Sequence, residues 1–295
     1  MADPTLQVAL IQHACGEDRE ANLNATEAGL REAAAAGARL ALLQELHTGA
    51  YFCKSEETAR FEMAEPIPGP TTERLGRIAA ELKLVIVASL FERRAAGLYH
   101  NTAVVLESDG RIAGRYRKMH IPDDPGYYEK FYFTPGDLGF TPIDTSGAGR
   151  GVLVGWVQWC PEEAGVMGRA GAERLLHPTA IGWDNHDRAE GRQRQREAWV
   201  TVQRGHAVAN GLPLLACNRV GAEPDPTGGP DVHFWGSSFV VGPQGEFIAQ
   251  APEDQPAVLM ARVDMARSEA VRRIWPFLRD RRIDAYGDLL RRYRD

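Results

Sequence analysis

The sequence predicts an α/β fold in which sheets and helices form layers. Short apolar runs typical of buried strands alternate with longer segments of helical character near both ends of the chain, and hairpin signals lie between them. With 295 residues, 44% of them hydrophobic, the chain can bury a full core without disulfides or metal ions. No linker rich in Gly, Ser or Pro divides it, so we expect a single domain over residues 1–295.

The N-terminal half begins with a strand, a helix and a second strand. Leu6–Gln12 is an apolar run with strand character, and the Ala-rich segment Asn22–Ala36 predicts a helix. Leu40–Leu43 is the next buried strand, and a helix is predicted over Thr71–Leu82, directly after a proline. Three more strands follow, the last two joined by a Ser-Asp-Gly turn: Leu84–Leu90, Asn101–Leu106 and Arg111–Tyr116.

The C-terminal half continues the alternation. A helix is predicted over Pro161–Ala170, where the proline suits a first-turn position, and a long helix over Arg192–Asn210. The predicted strands are Gly151–Val154, Leu175–Ala180, Leu212–Asn218, Ser237–Val241 and Ala257–Val263. From Arg262 onward the chain carries ten Arg and six acidic residues. We expect this tail, about 264–295, to be solvated or to contact another subunit.

Composition and charge exclude several classes of function. There are 34 Lys and Arg against 40 Asp and Glu, a net charge of −6, so the chain has no general attraction for nucleic acid. Leu84–Phe91, the longest apolar stretch, is about half of the roughly 20 residues that a membrane helix needs. Four Cys without a C-x-x-C pair argue against a disulfide framework or a thiolate zinc site. We expect a cytoplasmic protein with reduced thiols, no metal and no cofactor.

Three segments hold side chains suited to chemistry. Glu45 follows a strand, at the sheet edge where α/β proteins usually bind ligands. Lys118 ends a hairpin and could stabilise an oxyanion or donate a proton. The third segment, 151–162, turns from a strand into a helix, which is where a nucleophile elbow would lie. Each signal alone is weak, because an isolated Glu or Lys is more often part of a surface ion pair.

Five motifs together resemble the nitrilase superfamily, and within it the N-carbamoylputrescine amidohydrolases: ALLQELHTGAYFC, RYRKMHIPDDPGYYEKFYFTPGD, PTAIGW, GHAVANG and NRVG. The resemblance runs from about Leu6 to Tyr286. It implies a four-layer αββα sandwich that forms dimers or higher oligomers and acts on a small molecule. It also implies a Glu-Lys-Cys triad, with Glu45 as the general base, Lys118 as the oxyanion stabiliser and Glu129 as a second glutamate that positions the lysine.

The nucleophile position departs from the family pattern. Where the family reads C-W-D-Q-W-Y/F-P-E, this chain has Gly155 in place of the cysteine, Val157 in place of the aspartate and Cys160 in place of an aromatic residue. Glycine has no side chain, so a thioester cannot form there. The changes cluster around one predicted pocket, which favours a rebuilt, engineered site. The expected pocket residues are Gly155, Trp156, Val157, Val166 and Tyr51.

These departures leave three hypotheses open. In the first, Cys160 is a thiolate at a helix N-terminus with a lowered pKa, His177 is its general base, and the dyad cleaves activated esters. In the second, the chain binds amine or ureido ligands without turnover through Glu45, Lys118 and Glu129. In the third, it is an amidase that lacks only its nucleophile, so that Gly155→Cys would restore activity.

Overall fold

The computed structural model describes residues 5–146, 158–184, 187–224, 228 and 231–294. Its strands are β1 (Thr5–Gln12), β2 (Leu40–Leu43), β3 (Val85–Ala95), β4 (Leu98–Leu106), β5 (Ile112–Arg117), β6 (Leu175–Pro178), β7 (Gly182–Asp184), β8 (Leu214–Cys217), β9 (Val220–Glu223), β10 (Val232–Trp235), β11 (Phe239–Val241), β12 (Phe247–Gln250) and β13 (Ala257–Asp264). Its α-helices are α1 (Arg19–Ala35), α2 (Pro70–Leu82), α3 (Glu129–Tyr132), α4 (Pro161–Arg169), α5 (Ala189–Asn210) and α6 (Ala266–Ile274).

Two sheets form the centre of the fold. The larger has the strand order β13-β1-β2-β3-β4-β5, with β1, β2 and β3 parallel to one another and the remaining pairs antiparallel. The smaller has the order β12-β11-β8-β6, in which β6 and β8 are parallel. A third sheet, β7-β10-β9, is antiparallel.

The alternation of side chains along β1 shows how the layers stack. Val8 and Leu10 belong to the core cluster that also contains buried residues of β6, β8 and α5, whereas Ala9 and Ile11 belong to the cluster that contains Leu30 of α1. Successive residues of a strand point to opposite faces of the sheet. One face of the large sheet therefore packs on the small sheet and the other on α1 and α2, while α4 and α5 cover the small sheet. This arrangement confirms the predicted four-layer αββα sandwich.

Most predicted elements are present, with shifted ends. The strand predicted over Leu84–Leu90 extends to Ala95, because β3 keeps pairing with β4 after its side chains become exposed. The strands of the third sheet were not predicted, since each is only three or four residues long. The predicted strand Gly151–Val154 lies outside the described residues. No helix in the described ranges is long and apolar enough to cross a membrane.

Candidate active site

Glu45 lies two residues after β2, in a tight and fully buried turn. Its backbone N–H donates to Thr179 O (3.2 Å), and its carboxylate Oε2 accepts from the backbone N–H of Ala180 (3.0 Å), so the end of β2 is tied to the segment that follows β6. The next residue, Leu46, has φ of 51°, a left-handed conformation that is uncommon for leucine. Such a conformation persists only where the surroundings impose it, as these cross-sheet bonds do.

Lys118 joins two glutamates in one buried ion cluster. Its Nζ donates to Glu45 Oε1 (2.9 Å) and to Glu129 Oε2 (2.6 Å). Each of the three side chains is at most 3% exposed. Burial lowers the pKa of Lys118, but the carboxylates of Glu129 and Glu45 more than offset it, and the net shift is upward. The ammonium group is therefore protonated throughout the physiological range.

Two further side chains hold the glutamates in place. Asn101 Nδ2 donates to Glu45 Oε1 (2.7 Å), and the Tyr51 hydroxyl donates to Glu129 Oε1 (2.7 Å). Burial raises the pKa of Glu129, the Lys118 charge lowers it, and the net shift is upward. Glu129 is the first residue of α3, so a single helical turn fixes its backbone. Every member of the cluster is therefore hydrogen-bonded to a residue from another part of the chain.

The ion cluster opens into a cavity of about 420 Å³. Glu45, Lys118 and Glu129 form one part of its wall, and the other described lining residues are Pro122, Asp124, Pro125, Tyr127, Gln158, Trp159, Ala180, Ile181, Gly182, Asp187, Gln195, Ala198 and Trp235. A mostly apolar cavity with a few convergent charged groups is the usual form of a small-molecule site. The three residues carried over from the family lie together in one part of this wall.

No thiol belongs to the described wall of this cavity. All four cysteines of the chain are among the described residues, and none lines it. Cys53 interacts electrostatically with the glutamates and Lys118, which influence its pKa. It is fully buried, however, and burial is the main reason why its pKa lies well above the usual value. The cavity thus has acidic and basic groups without a cysteine nucleophile.

The structure does not support the predicted dyad of Cys160 and His177. His177 lies within β6, is 1% exposed, and places its Nδ1 2.7 Å from Oε1 of Gln203 on α5, while its Nε2 has no hydrogen-bond partner among the described residues. Burial lowers the pKa of His177 to about 3, so it is a weak base. The expected lowering of the Cys160 pKa is wrong: burial first, and then the nearby Glu163 and Glu162, raise it.

Two predicted pocket residues lie elsewhere. Val166 is on α4 and is not among the residues that line the cavity. Tyr51 is fully buried behind Glu129 and acts on the site through its hydrogen bond rather than as a wall. Gly155, Trp156 and Val157 lie outside the described residues, so their placement in the pocket stays a prediction.

Sequence reasoning missed several members of the site. Asn101 begins the strand predicted over Asn101–Leu106 with a polar side chain, which was the available signal for a buried hydrogen bond. Tyr127 and Asp124 lie in the same loop as Glu129 and could have been proposed from their closeness in sequence. Trp235 and Gln195 gave no such signal, because only the packing of β10 and α5 brings them to the cavity.

A four-layer sandwich with a buried carboxylate–lysine–carboxylate cluster is the arrangement implied for an amidohydrolase of the nitrilase type. The carbon–nitrogen hydrolase family model matches residues 7–273, and the chain belongs to this family. A carbon–nitrogen hydrolase from Helicobacter pylori G27 superposes with a TM-score of 0.94 at 51% sequence identity, covering 98% of this chain and 100% of that one.

Two relatives of known activity are also similar over nearly their full length. The N-carbamoylputrescine amidase of Arabidopsis thaliana is 43% identical over 96% of this chain and 94% of its own. The citrullinase of Francisella tularensis is 38% identical over 98% of this chain and 99% of its own. The substrates in both names carry a terminal ureido group on an aliphatic chain that also bears an amine.

Proposed function

We propose that this chain binds small N-carbamoyl amines in the cavity described above and does not hydrolyse them through a cysteine. The observation that carries the proposal is the buried cluster of Glu45, Lys118 and Glu129 beside a cavity in which no described residue is a cysteine. The position that the family pattern gives to the nucleophile is Gly155, which cannot form a thioester.

The hydrogen-bonding capacity of the cluster suits a ureido group. An ammonium has three N–H donors, and Lys118 uses two of them on Glu45 and Glu129, which leaves one for a carbonyl oxygen. The carboxylate of Glu45 accepts three hydrogen bonds, from Lys118, Asn101 and Ala180. A carboxylate has about four acceptor sites, so one remains for an N–H of the ligand.

The other charged residues that line the cavity suit a ligand with a cationic group at one end. Asp124 and Asp187 line the same cavity, so its described wall holds four carboxyl groups against one ammonium. An excess of negative charge attracts cations into a partly apolar cleft. An aliphatic chain with an amine at its far end, as in N-carbamoylputrescine, fits this combination, whereas citrulline also carries a carboxylate at that end, which the same charges disfavour.

Calorimetric titration with N-carbamoylputrescine and with citrulline, together with an assay for released ammonia, tests the proposal. We expect saturable binding of at least one of them without catalytic release of ammonia. Glu129→Gln should weaken binding at least about tenfold, since a lost hydrogen bond to a charged group is worth about 1.5–3 kcal/mol. Glu73→Gln removes an exposed carboxylate from α2 and is the matched control. Steady ammonia release by the unaltered chain would contradict the proposal.

A second variant separates loss of the nucleophile from loss of the site. Gly155→Cys should gain ammonia release from the ligand that binds best, if the cavity holds the carbamoyl carbon as an amidase does. Binding that persists without any gain would mean that the ligand is held in a different orientation. Loss of binding in this variant, with a normal unfolding transition, would place the added side chain in the ligand's space.

We further propose that the C-terminal tail, 264–295, packs against a second copy of the chain. Its exposed large apolar side chains include Ile274, Phe277, Ile283, Leu289 and Leu290, of which the last is 96% exposed. Exposed apolar groups concentrated in one segment are typical of an interaction surface. Light scattering during gel filtration should give a mass above 32.5 kDa, and Leu290→Asp with Phe277→Asp should lower it. A monomer before substitution would contradict this proposal.

A further inference from the structure

We propose that His120, Cys160 and Glu163 form a binding site for a divalent transition-metal ion such as Zn²⁺. His120 follows β5, Cys160 immediately precedes α4, and Glu163 lies in the first turn of α4. One potential ligand atom from each residue lies within 4.8 Å of the other two. This site, which we call the Cys160 cluster, departs from the expectation of a metal-free protein.

Glu163 is the strongest sign that a cation belongs here. Its side chain is only 3% exposed, and neither carboxylate oxygen accepts a hydrogen bond from a described residue. Nδ1 of His120 forms an ion-pair contact with Oε1, which is a charged pair only when the imidazole is protonated. Burying a carboxylate beside an imidazole that is neutral in its ordinary form is costly, and buried charges are normally paired or coordinate a metal. A cation between Glu163, His120 and Cys160 would supply the missing partner.

The donor set selects the class of ion. One imidazole nitrogen, one thiolate and one carboxylate suit Zn²⁺ or Co²⁺, whereas Mg²⁺ and Ca²⁺ prefer oxygen ligands alone. Ligands of a tetrahedral zinc lie about 3–4 Å apart, so the three atoms need only small movements. Three protein ligands leave a fourth position open for water.

Electrostatics favour the ion despite the nearby helix end. The N-terminus of α4 carries roughly half a positive charge, which opposes a cation. A thiolate and a carboxylate that bind the ion directly bring two negative charges against this half charge, so their sum favours the ion.

The Cys160 cluster is open to solvent and separate from the cavity. The side chain of His120 is 50% exposed and Cys160 is partly exposed, so an ion can reach the site without unfolding. None of the three residues lines the cavity, although the neighbouring Trp159 does. Metal binding and ligand binding therefore involve different side chains and can fail independently.

Titration with Zn²⁺ and with Co²⁺ tests the inference on the full chain in reduced, metal-free form. We expect one ion per chain, and Co²⁺ should give the near-ultraviolet charge-transfer band of a thiolate ligand. Cys160→Ser should abolish that band, and Cys160→Ser, His120→Ala and Glu163→Gln should each weaken Zn²⁺ binding by about tenfold or more, since even second-shell changes cost 10–100-fold. Glu32→Gln and His233→Ala, both exposed, are the matched controls.

Three results would overturn the inference. One is Zn²⁺ binding that is unchanged in all three variants. Another is binding that the controls weaken equally. The third is rapid acylation of Cys160 by a chromogenic aryl ester, lost in His120→Ala and unaffected by Zn²⁺, which would make the thiol a nucleophile instead of a ligand. Glu163→Gln removes a buried charge without a hydrogen-bond partner, so this variant is expected to fold, and its unfolding curve verifies that.

Discussion

Replacing Lys118 by Met is the sharpest test of the buried ion cluster. The change removes one cation that donates hydrogen bonds of 2.9 and 2.6 Å and leaves Glu45 and Glu129, 1% and 2% exposed, facing each other. Removing one partner from a buried ion pair typically costs about 3–5 kcal/mol, because the remaining charge keeps its desolvation penalty. We expect a loss of that size in the free energy of unfolding at pH 7.

The loss should depend on pH in a defined direction. Without the ammonium, burial and mutual repulsion raise the folded-state pKa of at least one carboxyl above its unfolded value of about 4.3. A group whose pKa is raised on folding contributes stability below the unfolded pKa and loses that contribution as the pH rises through the folded pKa. The deficit of Lys118→Met should therefore be largest near pH 8 and shrink towards pH 5.

Urea unfolding followed by tryptophan fluorescence measures both effects, at one protein concentration because assembly shifts apparent stability. Lys130→Met is the control, since Lys130 is exposed on α3 directly beside Glu129. A deficit that stays constant with pH would mean that the variant loses packing rather than charge pairing. A variant as stable as the unaltered chain at both pH values would refute the ion cluster altogether.

Three further predictions concern single side chains. Tyr51→Phe removes the hydrogen bond to Glu129 and should lower the free energy of unfolding by about 2 kcal/mol in the same assay. Because burial lowers the pKa of His177 to about 3, the unfolded chain takes up a proton below pH 6.5 that the folded chain does not. Between pH 7.5 and pH 5, the free energy of unfolding of the unaltered chain should therefore fall by about 2 kcal/mol more than that of His177→Gln. The control His233→Gln, at an exposed position, should fall by as much as the unaltered chain. Burial raises the pKa of Cys15, but a neighbouring guanidinium and imidazole more than offset it, so iodoacetamide at pH 7 should label Cys15 before the other three cysteines.

Each of these has an outcome that contradicts it. An unaltered unfolding curve for Tyr51→Phe would mean that the Glu129 carboxyl finds another donor. Equal acid sensitivity in the two histidine variants would show that His177 is protonated in the folded state. Peptide mapping that finds Cys160 labelled first would show that exposure outweighs the fraction of thiolate.

The sequence by itself determined the layers of the fold and the three charged residues of the site. Apolar runs of four to eight residues fix which segments become buried strands, because the side chains of a strand alternate between two faces that both need covering here. The motifs around Glu45, Lys118 and Glu129 likewise identified three charged groups that meet, and the structure places them within one ion cluster.

Only the tertiary structure decided what surrounds those groups. Cys160 and His177 lie 17 residues apart in sequence, and the dyad hypothesis requires their side chains to meet. Instead His177 faces Gln203 of α5, and Cys160 lies beside His120 and Glu163. Local patterns report which face of an element is apolar, whereas the partner of a polar side chain depends on how separate elements pack. That packing also sets the burial that lowers the pKa of His177 and raises that of Cys160, which is why their chemistry could not be predicted from the order of residues along the chain.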